Sequence, residues 1–524
     1  MRTNAKTGSF SLIRAFATVG SMTLLSRLLG FVRDVLVAGV LGAGPIADAF
    51  FVAFKFPNLF RRLFAEGAFN LAFVPLFAGK LEARGLGPAM RFADGALSLL
   101  ALVLVIFVAL GQVLMPWAMM GFAPGFTDDP ATFDLAVLLT RITLPYLLFI
   151  SLVSLMAGVL NSLGRFWAAA ATPVLLNLCL IGAVLILAPQ LPTPAHALAW
   201  GVAGAGAVQF LWMIGHLAHA GASLRLPWPR LDADQKVLLK RCVPVAIGAG
   251  IYQINLVIDT VIASLLPGGS ISYLFFADRV TQLPLGVIGV AVGTALLPLL
   301  SRQIRAGDEA GALASQNRAL EVSFLFTLPA AVALFLIAEP VILTLFQRGA
   351  FGIDEARATA AALGIYALGL PAYVLVKALA PGFYAREDTR RPVIAAAAAM
   401  VVNLGLNLIL MGPFQHVGIA MATVASSWLN AGLLAYWLSR RGQLQLDARL
   451  KNRLPRMILA ALVMGAGLFG LMQVIGAWFD GGEADRIAGM SILVVLGLAL
   501  YGLAAQLTGA AGLRDIKGLV RGKT

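Results

Sequence analysis

The chain has 524 residues, of which 60% are hydrophobic and 12% charged, and its mean hydropathy is +0.88. A soluble domain carries about 45–50% apolar and about 25% charged residues, so the composition excludes a string of soluble domains and points to one membrane-embedded unit. The formal net charge of +14 raises nucleic acid as a partner, and the placement of the basic residues decides against it.

Apolar stretches recur from end to end, each long enough to cross a hydrocarbon core, which takes roughly 17–25 helical residues. They are read as helices, because an open sheet edge cannot be satisfied in lipid and no barrel alternation is present. About fourteen spans are predicted, near 12–41, 46–79, 91–116, 134–160, 167–189, 195–218, 237–266, 271–300, 318–347, 357–382, 391–412, 416–438, 456–477 and 487–508. With the N-terminus and every second loop placed on one side, 28 of the 39 Lys and Arg residues fall there. Only Arg348, Arg357 and Arg486 fall on the other. The positive-inside rule then predicts a multi-pass membrane protein with both termini cytoplasmic. The basic excess is thereby a topology signal, and no nucleic-acid partner is expected. The polar, basic first 11 residues lack a cleavage-site pattern, so the first span is expected to stay. Cys179 and Cys242 fall within or at the edge of spans and support neither a disulfide framework nor a thiolate metal site.

The chain repeats itself at an offset of roughly 220–226 residues. Phe73–Lys80 (FVPLFAGK) resembles Leu296–Gln303 (LLPLLSRQ), Leu144-Pro-Tyr resembles Leu370-Pro-Ala-Tyr, and Asn177-Leu resembles Asn403-Leu. Six spans separate the copies, an even number, which implies parallel repeats about an axis along the membrane normal. The expected organisation is an N-lobe over 1–222 (helices 1–6), a C-lobe over 223–441 (helices 7–12), and a C-terminal helix pair with a tail over 442–524. The basic stretches Leu224–Arg241 and Leu438–Arg456 read as cytoplasmic linkers touching anionic headgroups.

Eight basic residues remain inside predicted spans: Arg27, Arg33, Lys55, Arg61, Arg62, Arg141, Arg279 and Lys377. Snorkelling toward a helix end accounts for Arg62, Arg141 and Lys377. An Arg near the bilayer centre costs at least about 2.5–3.5 kcal/mol, so the others call for a hydrated, functional cavity. Asp34, Asp48, Glu66, Asp259 and Asp278 are the available acids. Internal salt bridges that merely fix packing are the alternative, but Arg27–Glu66 holds five basic residues against three acidic ones. Arg27 and Arg33 stand about 9 Å apart along a helix and project about 120° apart. Asp48, Lys55 and Arg62 follow a seven-residue spacing that Pro57 interrupts, so either Arg61 or Arg62 faces the cavity. Guanidinium groups match diphosphate or carboxylate cargo rather than cationic drugs.

Ser26–Asp34 (SRLLGFVRD), Ala47–Asn58 (ADAFFVAFKFPN) and Arg61–Phe69 (RRLFAEGAF) resemble motifs of the MurJ (MviN) lipid II flippases, as do Ala277-Asp-Arg279 and Ala380–Tyr384 (APGFY). The resemblance covers essentially the whole chain. It implies an all-α polytopic fold of the multidrug/oligosaccharidyl-lipid/polysaccharide exporter superfamily, with two six-helix lobes in parallel pseudo-repeat plus two C-terminal helices. It implies movement of lipid II, the undecaprenyl-diphosphate-linked peptidoglycan precursor, from the inner to the outer leaflet. Membrane lipids and cell-wall synthesis proteins are the further candidate partners. The family's cavity residues fall on Arg27, Arg33, Asp48, Arg61 and Arg279, with Lys55 and Glu66 in the same motifs. The C-terminal pair is similar to one that forms a groove for the lipid tail. Gln282 departs from relatives that carry a glutamate there. No organic cofactor is implied, but some members hold a sodium ion in the C-terminal lobe. For such an ion Asp259, Asn403, Asn407 and Thr423 are candidate ligands, with polar interhelical packing as the other reading.

Two other functions set the contrast. An exporter of another anionic lipid-linked saccharide would share the cationic cavity. A membrane enzyme acting on polyprenyl phosphates would need chemistry the sequence does not offer, since no aspartate-rich metal motif or HExxH is present and His216 and His219 form only a short interfacial pair. Gly201–Gly206 lies within a span and suits close helix packing rather than nucleotide binding.

Overall fold

The computed structural model describes residues 4–62 and 69–512, and Glu66 lies outside them. Its packing divides into two units, residues 1–271 and 272–524. The first unit holds α1 (Asn4–Leu41), α2 (Pro45–Arg61), α3 (Asn70–Arg84), α4 (Leu86–Phe122), α5 (Pro130–Thr143), α6 (Tyr146–Ser162), α7 (Trp167–Gly182), α8 (Pro194–His219) and α9 (Ala233–Ser264). The second is built from α10 (Ser270–Arg305), α11 (Glu309–Leu336), α12 (Ala338–Phe346), α13 (Ile353–Tyr384), α14 (Arg390–Arg440), α15 (Ala448–Ile475) and α16 (Glu483–Leu507).

Among the described residues, nine helical segments are long and apolar enough to cross a membrane. Their outer faces are apolar: on α4, Val105, Ile106, Leu110, Val113 and Leu114 are all exposed, as lipid-facing residues must be. One of the nine, α14, has 51 residues, about 77 Å of helix, more than twice a hydrocarbon core. It breaks at Gln415, whose φ of 49° and ψ of −131° end one helix and begin the next, so it supplies two of the predicted spans. The predicted span 46–79 covers α2 and α3, and residues 63–68 between them lie outside the described residues.

Corresponding helices make corresponding pairs within each unit. In the first, α4 packs on α5 and α6, and α6 on α8; in the second, α11 packs on α13, and α13 on α14. Small residues permit the closest approaches. A Cβ on Gly201 would stand 2.6 Å from the Ala183 Cβ, and one on Gly206 3.0 Å from the Tyr146 ring. The seventh predicted span, α9, belongs by packing to the first unit. Lys80 of α3 pairs with Asp234 at 2.8 Å, and buried Gln235 donates to the Phe92 carbonyl at 3.1 Å, fitting where Gly95 has no side chain.

Prolines inside these helices free carbonyls, and neighbouring helices take them up. Pro57 cannot donate to the Ala53 carbonyl, which accepts instead from the Thr143 hydroxyl of α5 at 2.8 Å. Pro116 likewise frees Gln112, whose carbonyl accepts from Arg141 Nε at 2.9 Å while its amide donates back to the Arg141 carbonyl at 2.8 Å. Pro329 frees Leu325, which accepts from the Tyr501 hydroxyl at 2.6 Å. Arg141 is therefore a helix clamp between α4 and α5, not a side chain escaping to the interface. Lys377 is held too, half-buried against α10, where a Cβ on Gly289 would meet its Cδ and Nζ at 3.0 Å.

Aspartates cap the helices that begin at loops: Asp129, Asp232, Asp308 and Asp447 each accept a backbone N–H of the first turn. In the loop between α13 and α14, Asp388 Oδ2 accepts from Arg391 at 2.7 Å and Arg441 at 3.0 Å. The Arg391 hydrogen bond holds the Asp388 carboxyl below its ordinary value of 3.8.

Candidate functional site

Two helices of the first unit, α1 and α2, carry four of the sequence-predicted cavity cations, and α1 treats its two in opposite ways. On α1, Arg33 is buried, with 9% of its surface exposed. Its Nε and Nη2 donate to Asp34 Oδ1 at 3.0 and 2.6 Å, and its Nη1 donates to Asn177 Oδ1 of α7 at 2.8 Å. The Asn177 amide in turn donates to the Ser26 carbonyl at 2.9 Å. Gly30 lies one turn before Asp34, its Cβ position 3.5 Å from Asn177, so the absent side chain lets α7 come close. This network ties α1 to α7 and satisfies a buried charge, the condition under which such a pair persists in low dielectric.

Arg27 is the opposite case. It lies on an exposed face of α1 beside Leu24 and Leu28, which are 71% and 61% exposed. Among the described residues it makes no hydrogen bond or ion pair. Its guanidinium carries five N–H donors in the fork that suits an anion's paired oxygens.

On α2, Asp48 is 2% exposed, and its Oδ2 accepts from the Gly269 N–H at 2.6 Å in the turn between α9 and α10. Gly269 has φ +98°, a conformation that favours glycine, and a Cβ on adjacent Gly268 would meet Pro45 at 2.8 Å. The same end of α9 touches the α4–α5 connection, where the Gly125 N–H donates to Ser264 Oγ at 3.2 Å. A side chain at Gly125 would collide with the Ser264 carbonyl. Asp48 thus latches the start of α2 to the α9–α10 turn.

Farther along α2, Lys55 is half-buried and held by interactions of its own. Arg61 is half-buried and donates from Nε to Asn58 Oδ1 at 3.0 Å, while exposed Arg62 has no partner among the described residues. In the second unit, the Arg279 guanidinium of α10 lies over the Phe275 ring, 4.6 Å from its centroid. Gln282 Nε2 donates to Asp278 Oδ1 at 3.2 Å. A glutamate there would set two carboxylates together, so Gln282 turns a repulsion into a hydrogen bond.

The candidate cation ligands divide between the units: Asp259 is on α9, and Asn403, Asn407 and Thr423 are on α14. Asn403 and Asn407 are buried, Asn407 Nδ2 donating to Asn403 Oδ1 at 3.0 Å. Thr423 Oγ1 donates to the Ile419 carbonyl at 2.9 Å. No group of three or more His, Cys, Asp or Glu among the described residues could hold a metal ion.

Sequence reasoning missed Asn177 as the partner of Arg33. Its one signal is the repeat, which aligns Asn177 with Asn403, each the buried amide of a helix-to-helix or same-face polar pair. It also missed Gly269, whose contribution is a backbone N–H and leaves no side-chain signature.

The comparisons with known proteins agree with this architecture. A family model described as "Lipid II flippase MurJ" matches residues 37–487. A protein of Rhizobium tropici described as "Probable lipid II flippase MurJ" is 43% identical over 516 residues, covering 97% of this chain and 96% of its own length. The "Lipid II flippase MurJ" of Burkholderia cenocepacia is 38% identical over 500 residues, 94% of this chain and 96% of its own. A solved structure, "Lipid II flippase MurJ, inward closed conformation", superposes with a TM-score of 0.76 at 25% identity, covering 93% of this chain and 98% of that one. An inward-facing multidrug transporter of the MATE family and MOP superfamily shares the fold at a TM-score of 0.66 and 16% identity. This multi-pass helical chain belongs to the MurJ lipid II flippase family, a family of transporters rather than enzymes.

Proposed function

We propose that the chain moves lipid II from the inner to the outer leaflet of the bacterial cytoplasmic membrane by alternating access. The observation that carries this reading is Arg27, an exposed arginine without a protein partner among the described residues, on a helix of a membrane protein. A diphosphate offers the paired anionic oxygens that a guanidinium binds with two parallel hydrogen bonds. Arg61 and Arg279 are the further candidate contacts. Arg33, already bonded to Asp34 and Asn177, positions α1 and sets the field in which Arg27 works.

The loop charges support cytoplasmic termini. In that orientation the α1–α2 and α9–α10 turns lie on the outer face, and the Asp48–Gly269 bond is an outer latch that must open for release. A potential negative inside contributes about 2.3 kcal/mol per charge per 100 mV. It favours outward movement of an anion and inward return of an empty cationic site, so both half-cycles draw on it without ATP. A sodium ion at Asn403, Asn407 and Thr423 of the second unit is a proposed second coupling element, and replacing sodium by choline should then slow transport.

The test is a leaflet-accessibility assay for lipid II in cells depleted of their native flippase. The chain should restore outer-leaflet lipid II, and collapsing the potential should slow it. Restoration of another lipid-linked saccharide without lipid II would reject the substrate assignment.

A further inference from the structure

Within the second unit, Arg279 of α10 is held differently from the arginines that surround Glu321 of α11. Glu321 is 5% exposed, and its arginines are held by their N–H groups. Arg453 Nη1 donates to its Oε1 at 2.5 Å and Arg449 Nη2 at 3.2 Å, and Arg318 pairs with its other oxygen and with Asp447. The Arg279 guanidinium instead meets the face of the Phe275 ring, its Cζ 4.6 Å from the centroid. The two residues stand one helical turn apart on α10, so their side chains share a face. Asp278 and Gln282 form a second such pair beside them, in which the Gln282 amide donates to Asp278 Oδ1 at 3.2 Å.

Phe275 has an aromatic cluster behind it. Its ring meets Phe276 edge to face, with centroids 5.5 Å apart and planes at 83°. Phe276 is fully buried between Phe346, which ends α12, and Phe351 in the connection to α13, with centroids at 5.1 and 5.3 Å. Phe346 and Phe351 are buried as deeply, and the Phe351 N–H donates to the Arg348 carbonyl at 3.0 Å, closing that connection. Rings packed in this way sit in fixed rotamers. Phe275 is the half-buried member at the edge of the cluster, and it is the one that meets the cation.

We propose that Phe275 is a positioning residue for Arg279: the ring, held by the aromatic cluster behind it, sets the plane in which the guanidinium meets a pair of anionic oxygens on the cargo. The attraction between a cation and a ring face uses none of the in-plane N–H donors. A hydrogen-bonding partner would fix the guanidinium as firmly, but it would occupy donors that a diphosphate takes, as Asp34 and Asn177 do on Arg33. Two parallel hydrogen bonds need an aligned fork, so the plane of the guanidinium matters as much as its charge. This role rests on the reading of Arg279 as a cargo contact. It adds that the contact needs an electron-rich ring at Phe275, not merely an apolar side chain of similar size.

The test replaces Phe275 in the full chain by trifluorophenylalanine, which nearly keeps the shape of the ring while fluorine withdraws the electrons that attract the cation. Lipid II retention is read by native mass spectrometry. It should fall about fivefold with the fluorinated ring at Phe275, the size expected of a lost cation–π contact. The same ring at Phe276, which faces Phe346 and Phe351, should leave it unchanged. Phe275→Leu should lower retention at least as far, and Phe275→Tyr should keep the wild-type level. In an Arg279→Ala background neither Phe275→Leu nor the fluorinated ring should lower retention further, because Phe275 acts through that guanidinium. Equal retention by the wild type and the protein fluorinated at Phe275, where Arg279→Ala does lower it, overturns the positioning role alone. An additive loss in the Arg279→Ala background also overturns it, since Phe275 would then act on the cargo or the fold directly. If Arg279→Ala retains lipid II as the wild type does, the cargo reading of Arg279 fails, and the positioning role fails with it.

Discussion

Arg27 of α1 and Glu321 of α11 mark two regions that solve the problem of charge in a membrane protein differently. Around Arg27 and Arg33 cations outnumber acids, and the helix pairs one while leaving the other open. Around Glu321 the protein surrounds a buried carboxylate with three arginines, fixing α15 to α11. The first arrangement leaves Arg27 exposed, with no hydrogen bond or ion pair among the described residues. The second spends its charges on structure. The difference shows that the count of charges alone does not tell a paired arginine from one without a partner among the described residues.

The largest effect that could break this comparison is at Arg27. Arg27→Ala should lower flipping about a hundredfold, as expected for a lost bidentate pair, with unchanged expression and unfolding temperature. Near-normal outer-leaflet lipid II in cells dependent on that variant would remove Arg27 from the site. Glu321→Ala should act on stability instead. It leaves three arginines, part-buried or exposed, without their shared carboxylate, and about 1.5–3 kcal/mol should be lost in thermal unfolding. A variant as stable as wild type would mean that the network is surface decoration.

Smaller effects sharpen the picture. Asp48→Ala should speed hydrogen exchange at the Gly269 amide by about tenfold or more, since that N–H loses its acceptor. Unchanged exchange would show that the turn is held without the latch. Thr143→Val should cost about 1–3 kcal/mol by leaving the Ala53 carbonyl, freed by Pro57, unsatisfied, and restoring a helix donor with Pro57→Ala should recover most of it. The smallest effect concerns acid. Asp388 has its carboxyl lowered by Arg391, so its contribution to stability is complete above the ordinary value of 3.8 and is lost as pH falls through the lower folded value. Asp388→Asn should flatten that part of the acid unfolding curve, and an identical curve for both proteins would sink the assignment.

Hydropathy and charge were enough to read an all-helical membrane chain, the internal repeat and the motif-bearing helices, because the bilayer imposes a length and a polarity on every span. The break in α14 at Gln415 was legible as a gap between apolar runs. What could not be read was the state of each charge. Arg27 and Arg33 are the same residue type six positions apart, yet only Arg33 meets an asparagine from α7. The same holds for Arg141, which looked like a snorkelling side chain and instead fills the carbonyl vacancy left by Pro116. The grouping of α9 with the first unit also depended on pairs such as Lys80 and Asp234, far apart in the chain.

By itself, then, the sequence determined which segments are apolar enough to enter the membrane and which family they belong to. Those properties depend on local composition and on short motifs. Tertiary structure decided which arginines are satisfied and which stay open, because a hydrogen bond forms over about 3 Å between groups that only folding brings together.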